Sequence, residues 1–349
     1  MKHVAQGSFS RHLKGKEVQH LGEIVVSINC ITYNHEKYIA DALDSFLMQK
    51  VNFDYEILVH DDASTDKTAD IIRKYAERYP KLIKPIYQAS NQYSKGVRVE
   101  LLNVERARGK YIAVCEGDDY WTDPYKLQKQ VDILEKTPQL SAVFHKVEKV
   151  TLAKKRSFTY FRVPYEKANN IYSIQDIIRF DGCIVHLSSL LYKKEYAENM
   201  PHFYYVPPVV DLPMMLVLAT RGDFYYIDQT MSCYRQGVPN GAMHRLFGDP
   251  TRVDLVTNRI LSMYNEFNKY TQYVYEEEVE TVVERRKFDA LRRSAAMSEI
   301  RESHFFERMA TKEKVKLYVS HYFPNTYGHL VALKCLGRKC YGCITSWLA

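Results

Sequence analysis

No apolar run in the 349-residue chain reaches the roughly 18–20 residues needed to span a bilayer. The first residues, MKHVAQGSFSRHLKGKE, lack the apolar stretch of a secretory signal. Gly (14) and Pro (12) are too few for a low-complexity or fibrous chain. The seven cysteines are odd in number and scattered, which suits reduced thiols in a cytoplasmic protein better than a disulfide framework. Cys335, Cys340 and Cys343 cluster without a clear fourth ligand and give only a faint zinc signal. One-sided charge is also missing where it would matter. The chain carries +7 overall, but residues 1–20 hold +3 and residues 312–349 hold +5, so the stretch between is slightly acidic. A chain with no basic main domain is not expected to be a dedicated nucleic-acid binder.

What is present is an alternation of short β-branched runs and amphipathic segments. Runs at 23–32, 55–60, 82–87 and 111–115 read as buried strands. Between them, residues 35–50, 66–79 and 99–108 have helical apolar spacing. This rhythm predicts an α/β fold with a mostly parallel sheet covered by helices. Further on, a helix is expected from Pro124 to about Lys136, started by Asp123. A hairpin is expected from residues 140–150 and 158–163. Ser173 and Asp176 have the spacing of a capping box, 211–220 reads as a helix and 224–228 as a strand. From about Thr251 the chain turns helical and rich in charge, reading mainly as solvated faces.

Three polar segments follow predicted strands: Thr32-Tyr33-Asn34, Asp61 to Asp66, and Glu116-Gly117-Asp118-Asp119-Tyr120-Trp121. In a parallel α/β sheet, ligands lie beyond the carboxyl ends of the strands. Carboxylates there are costly to bury unless a cation or donor groups compensate them. Glu116, Asp118 and Asp119 make a hard oxygen set, suited to Mg²⁺ or Mn²⁺ shared with substrate phosphates. Each acidic cluster alone reads more readily as turn or cap chemistry than as a site, and Asp66 reads as a cap. Together, after successive strands, they point to a site.

The succession VSINCITYN, ILVHDDASTDKT and GKYIAVCEGDDYWTDPYKLQKQ resembles the family 2 glycosyltransferases of GT-A fold, over residues 24–240. The segment EGDDYWTDPYKLQKQVDILE resembles a bacterial subgroup that builds surface polysaccharides. The resemblance implies a Rossmann-like, mostly parallel sheet with helices on both faces and a helical C-terminal extension. It divides the chain into a basic arm (1–22), a catalytic domain (23–245) with nucleotide-binding (23–122) and acceptor (123–245) halves, and an extension (246–349). It implies nucleotide contacts from Thr32, Tyr33, Asn34, Asp61 and Asp62, with Asp62 facing the base. Glu116 would lie near the ribose. Asp118 would bind Mn²⁺ or Mg²⁺, with His244 as an alternative contact to the metal or diphosphate. Asp119, Trp121 and Arg235 are expected at the sugar or acceptor, with aromatic packing the equal alternative for Trp121. Asp211, in VVDLPMMLVLATRGDFYYIDQTMSCYR, is implied as the base, with helix capping as the competing role.

The expected reaction is inverting transfer from a nucleotide-diphosphate sugar, UDP-linked, to a hydroxyl of a glycan or lipid-linked acceptor. A base is needed there because a hydroxyl is a poor nucleophile until its proton moves. A metal-dependent nucleotidyltransferase and a non-catalytic binding relative are the competing readings. The basic, partly apolar tail at 312–349 suggests either lying on an anionic membrane surface or docking on the catalytic domain. The expected location is the cytoplasm, with a peripheral place on the inner face of the plasma membrane as the membrane reading of the tail.

Overall fold

The structure, a computed structural model, describes residues 22–151, 156–161, 163, 167–238, 241, 246, 249–294 and 296–322. The N-terminal basic arm, His244 and the tail beyond Tyr322, with its three clustered cysteines, lie outside the described residues.

Strands β1 (Ile24–Thr32), β2 (Asp54–Asp61), β3 (Ile83–Tyr87) and β4 (Tyr111–Val114) pair in parallel in the order β3-β2-β1-β4. Helices α1 (Ile39–Leu47), α2 (Thr68–Arg78) and α3 (Val99–Arg106) connect them. The central strands are buried on both faces, as parallel strands between helices must be. The sheet continues through β9 (Leu191–Lys193), β6 (Leu140–Thr151), β10 (Asp223–Gln236) and β5 (Tyr120–Trp121). The long β6–β10 ladder is parallel, whereas β9 and β5 run antiparallel to their neighbours. The predicted hairpin exists, with β7 (Arg156–Phe161) antiparallel to β6, and β8 (Ile171–Tyr172) pairs with β10.

Local chemistry explains several boundaries. Ser173 and Asp176 form the expected capping box before α5 (Ile174–Arg179). Asp66 Oδ1 accepts the Thr68 N–H at 2.9 Å at the start of α2, and Asp66 Oδ2 accepts the Glu36 N–H at 3.0 Å. The helix α4 (Lys126–Lys136) follows Asp123, whose carboxylate accepts the Tyr125 N–H at 2.7 Å. Gly109 enters β4 where a Cβ would stand 2.5 Å from the Ser27 nitrogen, so no larger residue fits.

Two large apolar clusters form the core. One includes Ile28, Val59, Phe46 and Leu127, and the other includes Leu58, Ile112, Phe144 and Met215. The alternation of Leu58 and Val59 between clusters follows from the period of two along a strand. The second cluster also takes Val256, Ile260, Met263 and Phe267 from α7 (Pro250–Tyr270) and Val279 and Val282 from α8 (Glu276–Ser294). These helices therefore dock on the sheet-bearing part of the chain, alongside α6 (Asp211–Ala219), and are not merely solvated faces. A small third cluster joins α8 to α9 (Met297–Glu302), α10 (His304–Arg308) and α11 (Thr311–Tyr322) through Phe288, Ile300, Phe306 and Leu317.

An ion pair fixes this docking. Arg286 of α8 meets Asp181 at 2.6 Å, and the Tyr264 hydroxyl of α7 donates to Asp181 at 2.6 Å. Asp181 is only 11% exposed, so losing Arg286 leaves a poorly solvated carboxylate with only Arg285, 4.0 Å away, to offset it. Arg286→Met is expected to lower the free energy of unfolding by about 3 kcal/mol, read from urea denaturation. A loss below about 1 kcal/mol, the size of an exposed pair, would show that α8 is not anchored this way.

Candidate active site

The site is built where β1, β2 and β4 end side by side. The Asp62 N–H donates to Thr32 O at 3.0 Å, and the Gly117 N–H donates to Ile31 O at 2.9 Å. Gly117 lies so close to β1 that a Cβ would stand 2.7 Å from Thr32 Oγ1 and 3.0 Å from Ile39 Cδ1. The acidic turn at 116–119 is thereby seated on the end of the first strand.

Asn34 adopts φ 58°, a left-handed conformation that Asn tolerates better than most residues. Its N–H donates to Ser64 Oγ at 2.9 Å, and its Oδ1 accepts the Thr65 N–H at 2.8 Å. The first polar segment is thus latched to the second. Tyr33 is half-buried beside it. Asp61 is buried and its Oδ1 accepts from Ser64 Oγ at 2.5 Å; burial raises its carboxyl above the usual range. Asp62, also buried, accepts the N–H of Gln92 at 2.7 Å and of Tyr93 at 3.0 Å, so it anchors the loop after β3.

In the acidic turn, Glu116 and Asp118 are half-buried, and Asp119 is 2% exposed. Asp118 Oδ2 lies 3.8 Å from His35 Nε2. Burial, and then repulsion from Asp118, raise the Asp119 carboxyl well above its ordinary value. Arg235, delivered by the end of β10, compensates. Its N–H donates to Asp119 Oδ1 at 3.0 Å and its Nη1 to Asp118 O at 2.6 Å. Its guanidinium also pairs with Asp41 and lies over Tyr120 and Tyr38, 4.5 and 5.2 Å from their ring centroids.

Asp211 opens α6, but it is not the cap, which falls at Val210; its Oδ1 accepts the Leu212 N–H at 2.8 Å. The residue is exposed to solvent, yet enough protein surrounds it for desolvation to raise its carboxyl above the usual range. Tyr234 is close enough to this residue and to the acidic turn for the charges of both to act on it. Burial raises its phenol first, and the charges of Asp119, Asp118, Glu116 and Asp211 add to the effect. The Tyr234 ring packs 4.6 Å from His186, whose Nε2 is 3.9 Å from Asp119 Oδ2. Burial lowers the His186 pKa to about 3, so this imidazole is neutral at physiological pH.

Trp121 requires a correction. It is 2% exposed, its Nε1 donates to Ser188 O at 3.0 Å, Phe46 packs edge-on at 4.8 Å, and Lys126 Nζ stands 4.1 Å over the ring. No face is left for a sugar, and the indole is a prop beneath the acidic turn. Sequence reasoning missed Lys126 because a lysine in an amphipathic run reads as exposed. It is fully buried, with Nζ donating to Gln130 Oε1 at 2.7 Å. It also missed Arg98 and Tyr93, whose contacts are far apart in sequence. His244, the alternative metal contact, is outside the described residues. Among the described residues, no group of three or more His, Cys, Asp or Glu is arranged to hold a metal alone.

Residues 27–194, from β1 through β9, match the profile of Glycosyl transferase family 2. An uncharacterized protein of Mycobacterium tuberculosis is 34% identical over 225 residues, which are 64% of this chain and 62% of that protein. The chain thus spans less than two thirds of the length of such curated relatives. Staphylococcus aureus TarS 1–349 in complex with UDP-GlcNAc has the same fold, with TM-score 0.57, 17% identity, and coverage of 85% of this chain and 79% of that one. So does the mannosyltransferase PcManGT from Pyrobaculum calidifontis in complex with GDP-Man and Mn²⁺, with TM-score 0.51, 16% identity, and coverage of 91% and 88%. The fold is GT-A, and residues 27–194 form a family 2 glycosyltransferase domain.

Burial lowers the Lys126 ammonium to about 7, against roughly 10.4 for an unfolded lysine. Between those values only the unfolded chain holds the proton, so this lysine's contribution to stability rises with pH from about 7 to about 10. The difference in unfolding free energy, wild type minus Lys126→Met, is therefore expected to climb over that window and stay flat from about pH 5 to 7. Denaturation curves across the range measure it; a difference flat throughout would contradict the burial of this charge.

Proposed function

We propose that the chain transfers a sugar, with inversion, from a UDP-sugar to a hydroxyl of a glycan or lipid-linked acceptor in surface polysaccharide synthesis. The observation that carries this reading is the acidic turn at 116–119, seated at the end of β1, with Asp211 close enough for the charges of both to act on Tyr234. The UDP-GlcNAc bound by the TarS fragment supports a uridine donor.

Thr32, Tyr33 and Asn34 border the nucleoside. Asp61 supports this pocket through Ser64, and Asp62 lines its base end through the loop it anchors. Glu116 faces the ribose. Asp118 fits a divalent cation because it offers a half-buried hard oxygen donor. Mg²⁺ and Mn²⁺ are commonly held by one or two carboxylates together with substrate phosphates, a role this aspartate can fill. When bound, the ion would offset charge on the departing diphosphate. Arg235 and Asp119 hold the turn in shape and border the donor sugar.

Asp211 takes the acceptor proton. Desolvation raises its carboxyl above the ordinary aspartate range, which favours proton uptake during attack. A cytoplasmic enzyme, peripheral on the inner face of the membrane through its basic ends, would meet a lipid-linked acceptor. No helix among the described residues is long and apolar enough to cross a membrane.

Asp211→Asn is expected to lower the transfer rate by about 10²–10⁴-fold without weakening UDP binding. Full transfer rates would refute the base assignment. Asp118→Ala should abolish the Mn²⁺ dependence of turnover along with most of the rate, measured as UDP released. Unchanged metal-dependent turnover would refute the metal assignment. Release of inorganic pyrophosphate in place of a nucleoside diphosphate would indicate nucleotidyl transfer.

A further inference from the structure

Arg98 stands just before α3, on the nucleotide side of the site, but its guanidinium serves the other half. Nη2 donates to Tyr204 O at 2.9 Å and Pro207 O at 2.5 Å, and Nη1 donates to Val209 O at 3.2 Å. The guanidinium also lies over the Tyr204 ring, 5.2 Å from its centroid. All three hydrogen bonds end on backbone carbonyls of a single segment, which leads directly into Asp211.

That segment needs an external tie. It follows a short 3₁₀ turn, His202–Tyr205, and then contains Pro207 and Pro208. Proline has no N–H, so the chain there has carbonyls to satisfy and few donors of its own. Arg98 supplies donors in a fixed planar fork, which lysine cannot imitate. Two further ties run in parallel. The Tyr93 hydroxyl donates to Pro208 O at 3.3 Å, and the Tyr204 hydroxyl donates to the buried carboxylate of Glu100 on α3.

Residues 91–98 are in turn fixed to the nucleotide pocket. Asp62 accepts the N–H groups of Gln92 and Tyr93, and the Asn91 side chain donates to Asp62 O at 3.1 Å. Hydrogen bonds at its two ends and the short chain from Tyr93 to Arg98 therefore join Asp62, at the end of β2, to Val209, two residues before Asp211.

We propose that Arg98 is a positioning residue for transfer: from the nucleotide half it fixes the segment that places Asp211 against the donor. The proposal rests on the reading of Asp211 as the base. Misplacement by about 1 Å is enough to cost roughly 10²-fold in rate.

The test uses the full chain with Arg98→Met, Arg98→Lys and Tyr93→Phe. Three quantities are read for each: kcat with the UDP-sugar the wild type turns over fastest, Kd for UDP with Mn²⁺, and the melting temperature. Arg98→Met is expected to lose about 100-fold in kcat while the UDP Kd stays within about twofold, with Arg98→Lys recovering part of the loss. Tyr93→Phe keeps the ring and removes one tie, so it should lose a smaller factor with the same split. Wild-type kcat in Arg98→Met overturns the proposal, as does a parallel loss of kcat and UDP affinity, which marks a general structural role. If Arg98→Met does not fold, Tyr93→Phe decides: a lower kcat at unchanged UDP affinity supports the proposal and an unchanged kcat overturns it. Asp211→Asn, run alongside, separates the two readings. An active Asp211→Asn with an impaired Arg98→Met removes the base assignment; an inactive Asp211→Asn with a fully active Arg98→Met removes the positioning role and leaves the base.

Discussion

Three carboxylates within four residues, at the end of a buried strand, repel one another and resist burial. Glu116, Asp118 and Asp119 impose that cost, and the rest of the site is arranged around it. Arg235 answers from the far end of β10, giving its N–H to Asp119 and its guanidinium to the backbone of Asp118 and to Asp41. It stays in place because Tyr120 and Tyr38 flank it. Gly117 answers from below, letting the turn lie against Thr32. With the turn held this way, Asp118 stays half-buried and keeps its oxygens near solvent, as a site shared with substrate requires.

Below the turn, Trp121, Lys126 and Gln130 form a buried prop. The indole is held by Ser188 O, and Gln130 donates to Val143 O at 3.0 Å and Ser189 O at 2.8 Å. Those serines flank the His186 segment, so the prop reaches both the acidic turn and the wall against Tyr234. Beside α6, α7 and α8 grip Asp181, and a Cβ on the adjoining Gly182 would stand 3.1 Å from Leu212 Cδ1. The C-terminal helices thus support the start of α6. Arg98, Gly182 and the C-terminal helices all bear on the short segment that carries Asp211.

Much of this was legible in the sequence, and the reason is locality. Strands β1, β2 and β4 announce themselves by β-branched runs, and the polar residues that follow them fall at the ends of parallel strands by topology alone. The Ser173–Asp176 capping box is a four-residue signal and was equally readable. Strand β10 was seen only as residues 224–228, because Asp228 and Gln229 are exposed and the register shifts between Ile227 and Thr230. The strand in fact continues to Gln236 and brings Arg235 to the turn. Trp121 was offered to a sugar because aromatics beside acidic turns suit carbohydrate, and only packing shows both its faces occupied. The work of Arg98 spans more than a hundred residues, and no local pattern records it.

The central claim is that the acidic turn held by Arg235 binds a nucleoside diphosphate together with a divalent cation. Calorimetric titration of UDP into the full chain, with Mn²⁺ and again with EDTA, tests it most directly. The account predicts that Mn²⁺ tightens UDP binding at least about tenfold, a coupling of roughly 1.4 kcal/mol, and that Asp118→Ala removes the difference. Equal affinity with and without the cation in the wild-type chain would contradict it.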